Sequence, residues 1–308
     1  MKDAPANTPD GALEPPDAGD PRPGAARESA LLALVGREGA SSAAVAAFQA
    51  QVLDHYAAFG RDLPWRRTAD PYGILVSEVM LQQTQVPRVL GRWERFVDRF
   101  QDFETLAGAP LAEVLSEWQG LGYNRRAANL KGIAEAVVGD HAGRLPADPE
   151  VLRTLPGLGP ATAASVSVFA FGTPVTFIET NIRAVYLHVF FADADGVRDA
   201  EIVPLAEAAL DRGDPRRWHW ALMDYGVALK KALPNPSRRS AHHVVQSRFE
   251  GSNRQLRGRI LRVLLAAGPL TRDELAEAVA GDERLGAALS GLASEGLVQA
   301  AGERWAIA

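Results

Sequence analysis

Residues 155–162, Leu-Pro-Gly-Leu-Gly-Pro-Ala-Thr, constrain this chain more than any other stretch. Gly157 and Gly159 sit in an apolar frame, and Pro160 follows where a helix takes its first residue. The pattern predicts two helices joined by a tight turn, a helix-hairpin-helix. Amides at the start of the second helix lack intrahelical acceptors and the helix dipole adds positive character, so such a turn can hold a phosphate without reading a base. The same residues also build ordinary helix connections, so the downstream sequence matters. A run of small and apolar residues from Ala161 to Phe171 reads as a buried helix, and a turn at Gly172-Thr173-Pro174 delivers the carboxylate Glu179 beside Asn181.

The chain has 308 residues, 47% of them hydrophobic, enough for a large core spread over two or three domains. It contains no cysteine, which excludes disulfides, a thiol nucleophile and any zinc or iron–sulfur centre held by thiolates. With a formal net charge of -5, contact with nucleic acid must come from local basic patches. No apolar run is long enough to span a bilayer and the N-terminus lacks a signal pattern, so a cytoplasmic, nucleoid-associated protein is expected.

Residues 1–40, rich in Ala, Pro, Gly and Asp, read mostly as a disordered tail. A main helical domain is expected over residues 41–235, opening with a helix from Ser41-Ser42 to Gly60 that carries Val45, Phe48, Val52 and Tyr56 at helical spacing. Near its end, Asp214-Pro215 opens a helix in which Trp218 and Trp220 read as core. Residues 236–255 form a basic linker containing Arg238 and Arg239, which either touches phosphates or is a solvated connection. Over residues 256–308, a helix, a capping box at Thr271-Arg-Asp-Glu274, a further helix and a hairpin around Gly302 predict a winged-helix-like unit. Its third helix is poor in cations, so DNA readout and a packing role both remain open.

Two further segments carry chemistry. Leu63-Pro-Trp-Arg66 and Asp70-Pro-Tyr72 lead into Ile74-Leu-Val-Ser-Glu-Val-Met-Leu-Gln-Gln-Thr-Gln85, an apolar helix in which Glu78 either is buried with a raised pKa, suited to general acid work, or lies on an exposed face. Gly120-Leu-Gly-Tyr-Asn-Arg-Arg126 presents Tyr123 at a turn with Arg125 and Arg126 behind it; an aromatic tip with cations suits insertion into a base stack, and equally a packed helix start. The four histidines from His188 to His243 have no spacing that makes a metal site, and no metal or cofactor is expected.

Taken together, the hairpin with its downstream acid, the P-W-R, D-P-Y and S-E-V-M-L-Q-Q-T-Q strings and the G-L-G-Y-N-R-R turn resemble the HhH-GPD base-excision DNA glycosylases, most closely the adenine glycosylases of the MutY type. The resemblance implies a mainly α, two-lobed helical fold and a monomeric, monofunctional enzyme that acts on double-stranded DNA carrying a mispaired base. It implies that Glu78 donates a proton to the departing adenine, that Glu179 with Asn181 is the acid beside the sugar, and that Gln83 and Tyr123 wedge into the duplex. Gly157, Gly159, Arg125, Arg126, Arg238 and Arg239 become DNA contacts.

The chain departs from the family pattern in four places. The family carries Asp where Glu179 stands, and bifunctional relatives carry a nucleophilic Lys where Ala161 stands. Four cysteines of a cluster loop are replaced by Leu229-Lys-Lys-Ala-Leu-Pro-Asn-Pro-Ser-Arg-Arg-Ser-Ala-His-His243, and the nudix-like domain that reads 8-oxoguanine is missing. A glycosylase for another base (uracil, thymine or a damaged purine) and a non-catalytic lesion-binding protein are the alternative readings.

Overall fold

The computed structural model describes residues 25–245 and 248–308. Its helices run as α1 (Ala25–Glu38), α2 (Ser42–Phe59), α3 (Pro71–Leu81), α4 (Val86–Val89), α5 (Arg92–Arg99), α6 (Phe103–Gly108), α7 (Leu111–Glu117), α8 (Arg125–Asp140), α9 (Pro149–Leu152) and α10 (Pro160–Phe171). There follow α11 (Thr180–Phe190), α12 (Asp199–Ala208), α13 (Pro215–Ala232), α14 (Asn253–Ala267), α15 (Arg272–Ala278) and α16 (Leu285–Ser294), with short strands β1 (Leu270–Thr271), β2 (Val298–Ala301) and β3 (Arg304–Ile307) among the last of them.

Side-chain caps set several boundaries. Ser41 accepts from the Ala44 amide to open α2, and Gly60 ends it. The Asp70 carboxylate accepts from the Tyr72 and Gly73 amides, so α3 starts at a fixed residue and the position of Glu78 on it is fixed too. Asp214 does the same for α13.

The helices form two lobes. In one, α3 packs on α5, α8 and α10, and α8 packs on α6 and α7, over a core that contains Trp118, Phe96 and Phe100. In the other, α13 packs on α2 and α11, and Phe48 meets the rings of Tyr186, Phe190 and Trp218. Contacts of α10 with both α3 and α13 join the lobes and leave a groove where they meet. Within the second lobe Gly226 sets how closely two helices approach: a Cβ there would lie 2.3 Å from the Asn181 carbonyl oxygen, so only glycine lets α13 reach the start of α11.

Two sequence expectations change. The expected tail becomes helical at Ala25, and α1 packs on α2 and α11 with Leu31 buried. Glu28 and His188 Nε2 lie 2.9 Å apart, tying α1 to α11. Its Ala-rich composition hid a real apolar side formed by Leu31 and Val35; the rest of that tail, 1–24, lies outside the described residues. The linker is also anchored at its start. Pro236–Arg239 is a 3-10 turn in which Ser237 Oγ donates to the Thr180 carbonyl at 3.1 Å, and Val197 bonds to both Arg239 and Ala241.

Beyond it, α14, α15 and α16 precede a three-stranded antiparallel sheet of order β1-β3-β2. The capping box at Thr271 and Glu274 is present. The expected hairpin is β2–β3, and β1, which the sequence analysis did not separate from its flanking turn, pairs with β3.

Candidate active site and DNA-facing surface

Glu78 and Glu179 line the same cavity of about 600 Å³ in the groove, with Trp65, Arg66, Phe169, Asn181, Trp220 and Lys231 among its walls. Glu78 is half-buried on a helix whose neighbouring residues are nearly all in the core. Burial pushes its carboxyl up to about 7; the Ser165 hydroxyl and the Arg66 charge pull it down, and the Glu179 charge pushes it up.

Ser165, on the second turn of α10, lies 2.6 Å from Glu78 Oε2 and 3.0 Å from the Thr162 carbonyl. One hydroxyl proton cannot serve both acceptors at once. An ionised Glu78 takes it, whereas a protonated Glu78 donates to Ser165 Oγ while Ser165 donates to Thr162. The same pair therefore accommodates both states of a proton donor.

Glu179 is the N-cap of α11. Its Oε1 accepts from the Asn181 and Ile182 amides, each at 2.8 Å, and its Oε2 accepts from Asn181 Nδ2 at 3.1 Å. These three bonds fix the carboxyl at the start of the helix. Lys230, half-buried one turn beyond Gly226, feels the Glu179 charge, which raises it, while the larger effect of burial leaves it lowered overall. The cavity thus sets a carboxyl that holds its proton near neutrality beside a second carboxyl fixed at the start of a helix.

Arg66 is fixed from behind. Asp224, 2% exposed, accepts from Arg66 Nη1 and Nη2, both at 2.8 Å, and from the backbone and side chain of Arg61. Burial pushes the Asp224 carboxyl up, but the arginine bonds outweigh it and hold the group below its usual range. The Arg66 guanidinium also lies 5.4 Å from the Trp220 ring centre. Trp220 is accordingly not core alone: it stacks on Phe169 and faces the cavity, while Trp218 is 1% exposed. Residues two apart on a helix point to different sides, which the sequence reading of both as core overlooked.

The hairpin lies against the end of α3. Gly157 has φ +73 and a Cβ would lie 2.2 Å from Asn129 Nδ2 on α8; Gly159 caps α10 with no side-chain bond. The first intrahelical bond of α10 runs from the Ala163 amide to the Gly159 carbonyl, so the preceding amides are open to an anion. Gln82 Nε2 donates to Thr162 Oγ1 at 3.2 Å, linking the end of α3 to this turn.

Gln83 and Tyr123 come together on a second surface with Arg125, which is exposed. Both carry positive φ, +52 for Gln83 and +49 for Tyr123, a conformation that costs a non-glycine residue about 1–3 kcal/mol and is kept where the surroundings impose it.

Two of the expected cation contacts are corrected. Arg126 is 7% exposed, and its guanidinium donates to the Val79 and Met80 carbonyls at 2.8 and 2.7 Å and to Thr84 Oγ1 and the Gly122 carbonyl at 2.9 and 3.1 Å. It welds the end of α3 to the Tyr123 turn, and most of its donors are spent inside the protein. Arg239 donates to the Ala192 carbonyl and, at 2.8 Å, to the Leu187 carbonyl, capping the C-terminal end of α11. Arg238 alone of that pair is exposed.

The four-cysteine cluster does not fit this loop, which has no sulfur ligand; Asn235, Ser237 and Arg239 hold it by hydrogen bonds instead. Sequence reasoning missed Ser165, the Asp224 anchor and Gly226. Asp224 and Gly226 carried a signal, an acid and a glycine inside an otherwise apolar helix; Ser165 carried none.

Residues 76–204 match the model of the HhH-GPD superfamily of base excision DNA repair proteins, and the chain belongs to that family. Among its relatives, it is 36% identical over 253 residues to the adenine DNA glycosylase of Mycobacterium tuberculosis (strain H37Rv), covering 73% of this chain and 81% of that one. It is 35% identical over 279 residues to the adenine DNA glycosylase of Mycolicibacterium smegmatis, covering 84% and 95%. A solved thermostable thymine-DNA glycosylase superposes with a TM-score of 0.53 at 28% identity, over 59% of this chain and 85% of that one.

Proposed function

We propose that this chain is a monofunctional adenine DNA glycosylase that binds mispaired double-stranded DNA as a monomer, in the cytoplasm at the nucleoid. The observation that carries the reading is the pair of carboxyls in one groove, Glu78 titrating near 7 and Glu179 fixed at the start of α11, beside an open helix-hairpin-helix. With the adenine extruded into the groove, Glu78 protonates a ring nitrogen of the departing base, and the bond from that base to the sugar breaks with its electron pair leaving on the base. Glu179 faces the positive charge left on the sugar, with Asn181 and Arg66 fixing its surroundings, and water completes the hydrolysis. Ala161 offers no amine for a Schiff base, so no strand cleavage arises from this position.

Similarity to a thymine-DNA glycosylase favours a second reading, release of thymine or uracil. Single-turnover release followed by alkali, on duplexes carrying adenine opposite guanine or 8-oxoguanine and thymine or uracil opposite guanine, separates the two. Adenine release is expected; release confined to the pyrimidines establishes the second reading. Binding with no release from any duplex establishes a lesion-binding protein.

A further inference from the structure

Tyr123 is held by two arginines that come from different parts of the molecule. Arg126, locked in the core, places its guanidinium carbon 5.6 Å from the ring centre. Arg254, in the first turn of α14, places its own 5.4 Å away and donates from Nη1 to the Tyr123 hydroxyl at 2.5 Å. The two residues are 131 positions apart in sequence. Arg254 also lines, with Gln83, Tyr123 and Arg125, a cavity of about 360 Å³ between the glycosylase lobes and α14.

A tyrosine at φ +49 has no local reason to stay there. The Arg126 bonds fix its turn, and Arg254 holds the hydroxyl end of the ring from a unit that, among the described residues, the catalytic cavity does not touch. The α14 helix therefore reaches the residue that opens the base stack and leaves the carboxyls alone.

Building on the glycosylase reading, we propose that Arg254 is a positioning residue for base extrusion: it preorganises Tyr123 as a wedge, so the C-terminal unit contributes to opening the duplex and not to breaking the bond. A preset ring loses less freedom on entering the stack than a mobile one. The arginine donates to the hydroxyl and lies over the ring, two interactions whose combined loss corresponds to about tenfold in an extrusion equilibrium.

The test is a cycle of Arg254→Ala, Tyr123→Ala and the double variant in the full chain, with Arg254→Lys and Tyr123→Phe as conservative partners. Two readouts are taken: the fluorescence of a 2-aminopurine placed at the target site, which rises on unstacking, and the single-turnover rate of adenine release. Arg254→Ala is expected to lower both about tenfold, Arg254→Lys and Tyr123→Phe less, and Arg254→Ala is expected to add almost nothing once Tyr123 is alanine. An unchanged fluorescence rise in Arg254→Ala overturns the proposal, as does an undiminished effect of Arg254→Ala in the Tyr123→Ala background. Fluorescence that follows the cycle while the unmodified protein releases no adenine supports the wedge and defeats the adenine reading alone.

Discussion

Glu78→Gln is expected to make the protein more stable as it makes it inactive. Glu78 titrates near 7 in the folded chain against an ordinary 4.5. Between those values the folded state holds the proton more tightly than the unfolded state, so raising the pH favours unfolding, and the loss is complete above 7. At about 1.4 kcal/mol for each factor of ten, ionising this carboxyl in place costs the fold about 3 kcal/mol. Glutamine has nearly the same shape, keeps a partner for Ser165 and carries no charge. Urea denaturation of both proteins is therefore expected to give equal stabilities near pH 4.5 and a gap of about 3 kcal/mol in favour of Glu78→Gln by pH 8.5. Other titrating groups cancel in the difference. Over the same range, base release by the unmodified protein is expected to fall as pH rises through about 7, and release by the variant to be lower by about 10² or more at every pH, with DNA binding retained. Stability curves that run parallel from pH 4.5 to 8.5 would refute the claim that burial raises Glu78, and unimpaired release would remove it from the mechanism.

The other substitutions divide structural from functional charge. Arg238→Ala is expected to lower the slope of log affinity against log salt by about 1 with no change in melting, whereas Arg239→Ala frees the Leu187 and Ala192 carbonyls and costs about 1–2 kcal/mol of stability; reversed effects would exchange their roles. Asp224→Ala leaves two arginines without their buried acceptor and is expected to cost about 3–5 kcal/mol, so a loss under about 1 kcal/mol in denaturant titration would contradict the anchor. Glu179→Asp retains an N-cap residue of the preferred kind and is expected to leave melting unchanged while lowering release, because the carboxylate draws back by roughly 1.5 Å. A rate increase would show that the cavity suits aspartate better. Glu179→Gln is expected to lose release and keep binding, and an unaffected rate would make Glu179 structural.

The parts of this molecule that were legible in the sequence are those governed by neighbours in the chain. Ser41, Asp214 and Thr271 each announced a helix start because a cap acts within three residues. Gly157, Gly159 and Pro160 announced the hairpin because positive φ and a proline at a helix start are local demands. The unread parts depend on partners remote in sequence. Arg126 looked like a cation for DNA because nothing nearby reveals that the carbonyls ending α3, some forty-six positions away, will consume its donors. Arg239 misled for the same reason, its acceptors lying at the end of α11. Trp220 was misread through helix phase, and Ser165 became visible only once α10 had been laid against α3. Glu78 lay between these cases. Its apolar neighbours were visible, but the choice between a buried and an exposed face needed the opposing helix.

The loop around Pro236–Arg239 has one more consequence. Its shape rests on amide, hydroxyl and guanidinium groups, and all the sulfur in the chain is in three methionines. With no cysteine in the chain, no thiolate here is exposed to peroxide or competes for scarce iron. The loop takes its shape from the chain's own groups, which are in place once α11 has folded against it.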